Sequence, residues 1–496
     1  MRRKIWKRAL KTQLTSVLYR LFTRGNGGIS LAVYDLVVIG SGAAGATAAT
    51  TAVHLGASRV AIVDQGPLWG TCVNNGCIPS KFLLTLGEHH FYKNHGHAGL
   101  CTDSRFDLPA ALAEKDALIT RLKQKKSKRI IDGLGIELIE GGAEFISPLE
   151  LRVNTRVIAA NRFIIATGSS PAIPPVPGME TVPFMTNIEA LQPERIPETL
   201  VVIGGRALGL EFAQLYVHLG SKVTILQRSQ QIAPEEEPEI SDLLAGYLRD
   251  EGIEIHTSAG IRSVAKAGGG VAISASIEGA EYTFTAERLL LATGRTPNTN
   301  GLRVDRAGVM TGHDGAVIVD ATLKTTADSV WAAGDVTGEP MLETGARYGG
   351  EIAAMNAFLG LKRSFDRSFL PHGIYTMPQV AGVGLTEAKA RNAGLDPETR
   401  TLLMDTVSRS AIMGDTRGLV KIVAGKSDGG VLGVHVCAPL ATEILQAAII
   451  AVSRHLTVSD LADMYHVFPT TGEAVSLCAR QFRKSGCESL ENQVAT

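Results

Sequence analysis

Cys72 and Cys77 are separated by four residues in the run 70–81 (GTCVNNGCIPSK). Two thiols this close switch between dithiol and disulfide. A dinucleotide-binding fingerprint stands just upstream, so a bound dinucleotide could drive the switch. A purely structural disulfide is the alternative, but the chain has six cysteines in 496 residues, too few for a disulfide scaffold. That usage suggests an intracellular, cytoplasmic protein with working thiols. A helix is expected to begin near Pro79, and its N-terminal dipole would favour a thiolate at the motif. Lys81 follows Cys77 by one helical turn; its plainer reading is a surface charge.

The positioning elements are legible as apolar runs. Tyr34–Gly40 (YDLVVIG) reads as a buried parallel strand. It leads into Gly40-Ser41-Gly42-Ala43-Ala44-Gly45, a helix of small residues through His54, and a second strand, Val60–Asp64. Strand, glycines, helix, strand and acid in this order form half a Rossmann unit. Gly40, Gly42 and Gly45 permit the turn and the close pyrophosphate approach, and Asp64 would take ribose hydroxyls. The pattern repeats: strand Leu200–Ile203, then Gly204-Gly205-Arg206-Ala207-Leu208-Gly209, a helix through Leu219 and strand Lys222–Leu226. Each half carries a later Ala-Thr-Gly, at 166–168 and 292–294. Two nucleotide folds imply two dinucleotides, or one domain interrupted by another. The proline-rich stretch 169–178 reads as a connection between them.

The expected architecture is α/β. A basic extension (1–33) precedes a nucleotide-binding domain in two segments (34–186 and 285–364), with a second nucleotide-binding domain (187–284) between them. An α+β dimerisation domain with a C-terminal tail (365–496) ends the chain. Its strands are expected at 380–384, 419–423 and 431–436, with a helix over 442–452. Formal net charge is zero, so nothing points to nucleic acid. The extension has eight basic residues and no acid before Asp35, with apolar residues at roughly helical spacing. It reads as a basic amphipathic helix for an anionic membrane surface, or more plainly as a leader without structure of its own. No run reaches the ~18 apolar residues of a membrane span.

These motifs resemble the flavoprotein disulfide reductases: glutathione reductase, dihydrolipoamide dehydrogenase and mercuric reductase. The resemblance runs from about residue 34 to about 482. It is carried by the first fingerprint, 70–81, 166–169, Gly209-Leu210-Glu211, 292–298 (ATGRTPN) and Ala333-Gly334-Asp335-Val336. Within the family the run 415–418 (DTRG), ATGRTPN and Cys72-Val73-Asn74 are most similar to the mercuric reductase branch, though the heavy-metal-binding N-terminal domain of many members is absent.

The resemblance implies a homodimer, with FAD in the first nucleotide-binding domain and NAD(P), a nicotinamide nucleotide, in the second. It makes Cys77 the thiolate facing flavin and Cys72 the thiol that exchanges with substrate. It pairs Lys81 with Glu211 near the flavin, and places Gly70, Thr71, Gly142, Thr167, Gly168, Gly294, Arg295, Asp335 and Leu342 around FAD. Gly204, Gly209, Gln227 and Arg228 would meet the nicotinamide nucleotide. Strand 222–226 ends in Gln227-Arg228, where an NADH enzyme carries an acid, so NADPH is expected over NADH. Arg206 replaces the middle glycine and is expected to crowd the pyrophosphate unless the turn shifts.

The far end departs from the disulfide-reducing members. They carry His-Pro-Thr with a glutamate five residues after the histidine, and the partner subunit's histidine serves as acid–base. Here Phe468 precedes Pro469-Thr470, with Glu473 in place. Phenylalanine moves no protons. His466, two residues away, would point the same way on an extended segment and is a candidate substitute; a packing role is the plainer reading. Reducing a soft metal ion needs thiolates and no proton for a leaving thiol. The expected substrate is therefore Hg(II), held transiently by Cys72 and Cys77. Mercuric reductases deliver the ion through a C-terminal vicinal cysteine pair. Here the tail has Cys478, expected to be buried in a helix over 472–482, and Cys487, a candidate single metal-handling thiol. Another electrophile (a disulfide, a quinone, another metal ion) is the second reading. A membrane-surface or partner-binding redox flavoprotein is the third.

Overall fold

Leu36–Ile39 (β1) is buried along its whole length, because strands flank it on both sides, helices cover one face and a separate, smaller sheet covers the other. After it come helix α1 (Ala43–His54), β2 (Val60–Asp64), α2 (Gly70–Asn74), α3 (Cys77–His95), α4 (Leu108–Ser127), β3 (Glu137–Glu140) and β4 (Phe163–Ile165). The computed structural model describes residues 33–95 and 106–483. The basic stretch 1–32 and Cys487 lie outside the described residues. No helix among the described residues is long and apolar enough to cross a membrane.

The second half-unit supplies β5 (Thr199–Ile203), α5 (Ala207–His218), β6 (Lys222–Leu226), β7 (Glu254–His256) and β8 (Arg288–Leu291). The chain then returns through β9 (Val330–Ala332) and α6 (Glu343–Leu359). Two parallel sheets result. The first has the order β9-β4-β1-β2-β3, and the second β7-β6-β5-β8. The strand that completes the first sheet thus comes from beyond the whole second sheet. The two are joined by a ribbon in which Ser169–Pro171 pairs antiparallel with Arg295–Pro297.

Register aligns the strand ends. Ile39 sits opposite Val63 and Ile165, Ala332 opposite Ile165, and Asp64 opposite Glu140. The Gly40 turn, Asp64, Gly142, Thr167-Gly168 and Asp335 therefore all emerge at one carboxyl edge, the crevice where open α/β sheets bind ligands. In the second sheet Ile203 lies opposite Leu226 and Leu291. Gly204, Gln227 and Gly294 consequently share its carboxyl edge. The turn after β1 requires glycine: Gly40 has φ +105°, and a Cβ there would stand 2.3 Å from the Ala166 carbonyl oxygen.

The C-terminal part is an antiparallel sheet of β10 (His372–Ile374), β11 (Gln379–Gly384), β12 (Pro397–Leu403), β13 (Leu419–Gly425) and β14 (Val431–Ala438), in the order β10-β11-β14-β13-β12. The helix expected over 442–452 is two segments, Ala441–Ile444 and Gln446–Ser453. Leu445 joins them with a turn-like ψ of −14°. The last helix, α7 (Glu473–Arg480), packs Val475 and Cys478 into this core. Cys478 is fully buried, with its thiol directed at the Arg400 and Val420 carbonyls.

Candidate active site

The cysteine motif folds as a short helix, a break and a long helix. Gly70 opens α2 at φ +71°, and a Cβ on it would come within 2.7 Å of Gly42 Cα. That contact seats α2 directly on the first glycine turn. Cys72 stands in α2, and Cys77 is the first residue of α3. The helix begins two residues earlier than Pro79 suggested, so its positive N-terminal end lies at Cys77 itself.

Both thiols are free and half-buried, and Cys72 hydrogen-bonds to Cys77. The Cys72 S–H holds Cys77 down to about 7, against a desolvation penalty and with help from the Lys81 charge. Cys72 is pushed well above the thiol range by that same hydrogen bond, by burial and by the negative charge on Cys77. Glu343, at the start of α6, raises both thiols; its carboxylate is a site feature with no motif to announce it. The pair is therefore asymmetric: one thiolate next to one protonated thiol.

Helix α3 packs on α5, which joins the first nucleotide unit to the second. Across that contact Lys81 Nζ lies 2.9 and 2.7 Å from the two Glu211 carboxylate oxygens. Glu211 is only 5% exposed, and it also accepts from the Tyr375 backbone N–H at 2.9 Å. The Lys81 ammonium stands 4.7 Å from the Tyr375 ring centroid, a cation–π contact. Tyr375 thus closes the ion pair from the C-terminal part of the chain. A lone tyrosine some 160 residues from Glu211 gives no local sequence signal.

From the thiols a cleft of about 790 Å³ runs along the carboxyl edge of the first sheet, a size typical of ligand sites. Gly40, Gly42, Asp64, Gly142, Thr167, Gly168, Arg295 and Asp335 line it, and Gly70, Thr71, Cys72 and Cys77 close one side. Asp64 accepts from the Ser41 and Gly66 amides, each at 2.6 Å, which ties the glycine turn to β2. Asp335 accepts from Ser169 Oγ at 2.6 Å, while Arg295 Nε donates to the same hydroxyl at 2.7 Å. Thr167 donates to the Asn298 carbonyl at 2.6 Å. Gly45 lies in α1 behind the turn, and Leu342 caps α6 just outside the cleft lining. A side-chain-free glycine edge beside an acid, with a cleft ending at two thiols, fits a dinucleotide such as FAD.

The second glycine turn repeats this construction with a neutral group. Gln227 Oε1 accepts from the Gly205 amide at 2.9 Å, as Asp64 accepts from Ser41. Gln227 is buried, and its amide nitrogen donates to Ser229 Oγ at 3.0 Å. Gly204 and Gly209 form the turn and the helix start. Arg206 does not crowd this turn: its backbone is extended, and its guanidinium reaches outward to Glu235 Oε1 at 2.6 Å. Arg228 is exposed, and Gly294 accepts from the Ala172 amide in the ribbon.

The segment before α7, expected to put His466 and Phe468 on one side, parts them. It is irregular, and His466 and Phe468 do not share a face. Phe468 is 72% exposed, as are its neighbours Tyr465 and Val467 to a greater degree. His466 turns inward, with Nε2 against Ser476 Oγ. That hydroxyl donates to the Leu461 carbonyl at 2.7 Å, so its lone pair accepts from the His466 Nε2–H. Glu473 lies in the first turn of α7. Among the described residues no group of three or more His, Cys, Asp or Glu side chains is placed to hold a metal ion.

Residues 34–350 match the family model described as pyridine nucleotide-disulphide oxidoreductase, and 370–479 match its dimerisation domain. A mercuric reductase of Streptomyces lividans is 40% identical over 457 residues, spanning 90% of this chain and 96% of the relative. A mercuric reductase of Bacillus cereus is 39% identical over 453 residues, 91% of this chain and 72% of that protein. A dihydrolipoyl dehydrogenase of Thermus scotoductus is 36% identical over 466 residues, 92% of this chain and 99% of its own. Among solved structures, the HOCl-induced flavoprotein disulfide reductase RclA from Escherichia coli superposes with a TM-score of 0.82 at 31% identity, covering 91% of this chain and 100% of RclA.

Proposed function

The chain belongs to the pyridine nucleotide-disulphide oxidoreductase family, and on that premise we propose that it is an FAD-dependent enzyme reducing Hg(II) to Hg(0) with NADPH. Overall, one NADPH gives up a hydride to become NADP⁺, and Hg(II) gains the two electrons. FAD, when bound, supplies the two-electron relay between nicotinamide and thiols. The residues at the first carboxyl edge would hold it, and Lys81, braced by Glu211, would set a positive charge beside it. Cys72 and Cys77 grip the ion as soft sulfur ligands.

The observation that carries this reading is the commitment of the tail. Phe468 occupies the proton-shuttling position, and His466 is spent on Ser476. A disulfide substrate needs a proton for its leaving thiol; a soft cation does not. The dimerisation domain supports a homodimer, in which the exposed Tyr465–Phe468 segment would face the partner's thiols. Purified enzyme should oxidise NADPH when Hg(II) is supplied with excess thiol, and should release volatile mercury. Turnover no higher than in a Cys72→Ala control would reject the reading. Robust turnover of lipoamide or glutathione disulfide would replace it with a disulfide reductase, which the Thermus relative favours.

The preference for NADPH rests on Gln227 and the exposed Arg228. Arg228→Ala is expected to raise KM for NADPH roughly tenfold through a lost phosphate contact, with KM for NADH unchanged. Equal effects on both coenzymes would remove Arg228 from the site.

A further inference from the structure

Helix α4 ends in a basic run, Arg121, Lys123, Lys125, Lys126, Lys128 and Arg129, with no acid between Asp116 and Asp132. The structure places the end of this run on the cysteine motif. Lys123 Nζ donates to Asn74 Oδ1 at 3.0 Å, at the end of α2. Trp69, the residue before α2, donates its indole N–H to Ser127 Oγ at 3.0 Å and its backbone N–H to Ser41 Oγ at 2.7 Å. Lys126 Nζ stands 5.0 Å from the centroid of that indole. Trp69 is 1% exposed and has φ +75°, a conformation that is a genuine outlier for a bulky side chain and persists only where its surroundings hold it. The ring therefore acts as a fixed platform that holds an ammonium at the residue preceding α2, the helix that carries the outer thiol. The Lys126 charge reaches Cys72, Glu343, Arg129 and Arg347. Of these, Glu343 is already paired with Arg347 at 3.0 Å. Half-burial keeps the Lys126 ammonium less screened than its exposed neighbours.

We propose that Lys126 is a specificity-determining residue, favouring substrates that present an anionic group to Cys72. For a soft metal this means a complex with carboxylate-bearing thiols: Cys72 passes its proton to the Cys77 thiolate, its sulfur bonds to the metal, and one thiolate ligand leaves as the anion. For a disulfide, Cys72 passes its proton to the Cys77 thiolate along their hydrogen bond and its sulfur attacks one disulfide sulfur; a mixed disulfide forms, the original S–S bond breaks, and the departing thiolate takes its proton from solvent. In both cases Lys126 attracts the incoming negative charge and neutralises the outgoing one. The inference rests on the reading that Cys72 is the outer, exchanging thiol.

The test uses reduced, flavin-loaded enzyme and two disulfide probes, the dianionic dithiobis(nitrobenzoate) and the neutral dithiodipyridine. In Lys126→Met the dianion should react about tenfold more slowly, the scale of one unit charge near a protein surface, while the neutral probe keeps its rate. Lys126→Arg should restore the dianion rate. Added KCl should slow the dianion reaction of the parent enzyme more steeply than that of Lys126→Met, which keeps only the weaker pull of the neighbouring basic residues. Lys126→Gln serves where Lys126→Met fails to load flavin. Equal slowing of both probes would overturn the proposal in favour of a structural brace, and no change in either would overturn it outright. Probe reactivity that survives Cys72→Ser would overturn the assignment of the outer thiol. The probe ratio does not depend on whether Hg(II) is reduced, so failure of the mercury reading is seen separately.

Discussion

Cys72→Ala is expected to cut NADPH-dependent turnover by at least about a thousandfold, the scale seen when one member of a catalytic unit is removed. It should also move the titration of Cys77. In the intact pair the Cys72 S–H is the largest influence holding Cys77 down to about 7. Alanine removes that donor, while burial and the Glu343 carboxylate, both of which oppose ionisation, remain. The midpoint for thiolate formation should therefore rise toward the ordinary thiol range, and at pH 7 the thiolate fraction should fall. Thiolate against flavin gives a long-wavelength absorption band, so a pH titration of that band in reduced enzyme reads the shift directly. A midpoint that stays near 7 would show that the helix start and Lys81 suffice, and that the Cys72 hydrogen bond is incidental.

Lys81→Met should be the most damaging change to stability at the site. It leaves the Glu211 carboxylate buried, with the Tyr375 amide as a remaining donor. Glu211 is buried while Lys81 is 31% exposed, so stranding the carboxylate costs about 1–3 kcal/mol, below the range for a fully buried pair. Urea denaturation of flavin-loaded protein should show this loss. The double variant Lys81→Met/Glu211→Leu should recover much of it, since an apolar pair strands no charge. The single variant should also raise the Cys77 midpoint, because Lys81 is one of the groups that lowers it. Wild-type stability in Lys81→Met would mean that the Tyr375 amide and water suffice to hold Glu211.

Much of this architecture is written locally. β1, β2 and β5 are buried parallel strands, and burial on both faces leaves near-continuous apolar runs in the sequence. The glycines after β1 are legible for the same reason, since only one residue type tolerates that turn. The contacts that tune the thiols are not local. Tyr375, Glu343 and Lys126 arrive from separate helices and strands, and no periodicity connects them to residues 72–77. The left-handed backbone of Trp69 is invisible in a string of letters. The two-residue period applied to His466 and Phe468 failed because that segment forms no strand, and the Ser476 hydroxyl captures the histidine instead. Gln227, expected to meet the coenzyme, has a second task that no motif announces: its side chain supports the Gly205 turn as Asp64 supports the first one.

The asymmetry between Cys72 and Cys77 also fixes how protons are counted when a ligand arrives. Above about pH 7 the pair carries one proton, shared along the Cys72–Cys77 hydrogen bond. A dication that takes both sulfurs must expel that proton, so its apparent affinity should climb about tenfold for each pH unit. Below about pH 7 two protons must leave, and the slope should double. The enzyme's grip on a soft ion is thereby geared to the acidity of its surroundings.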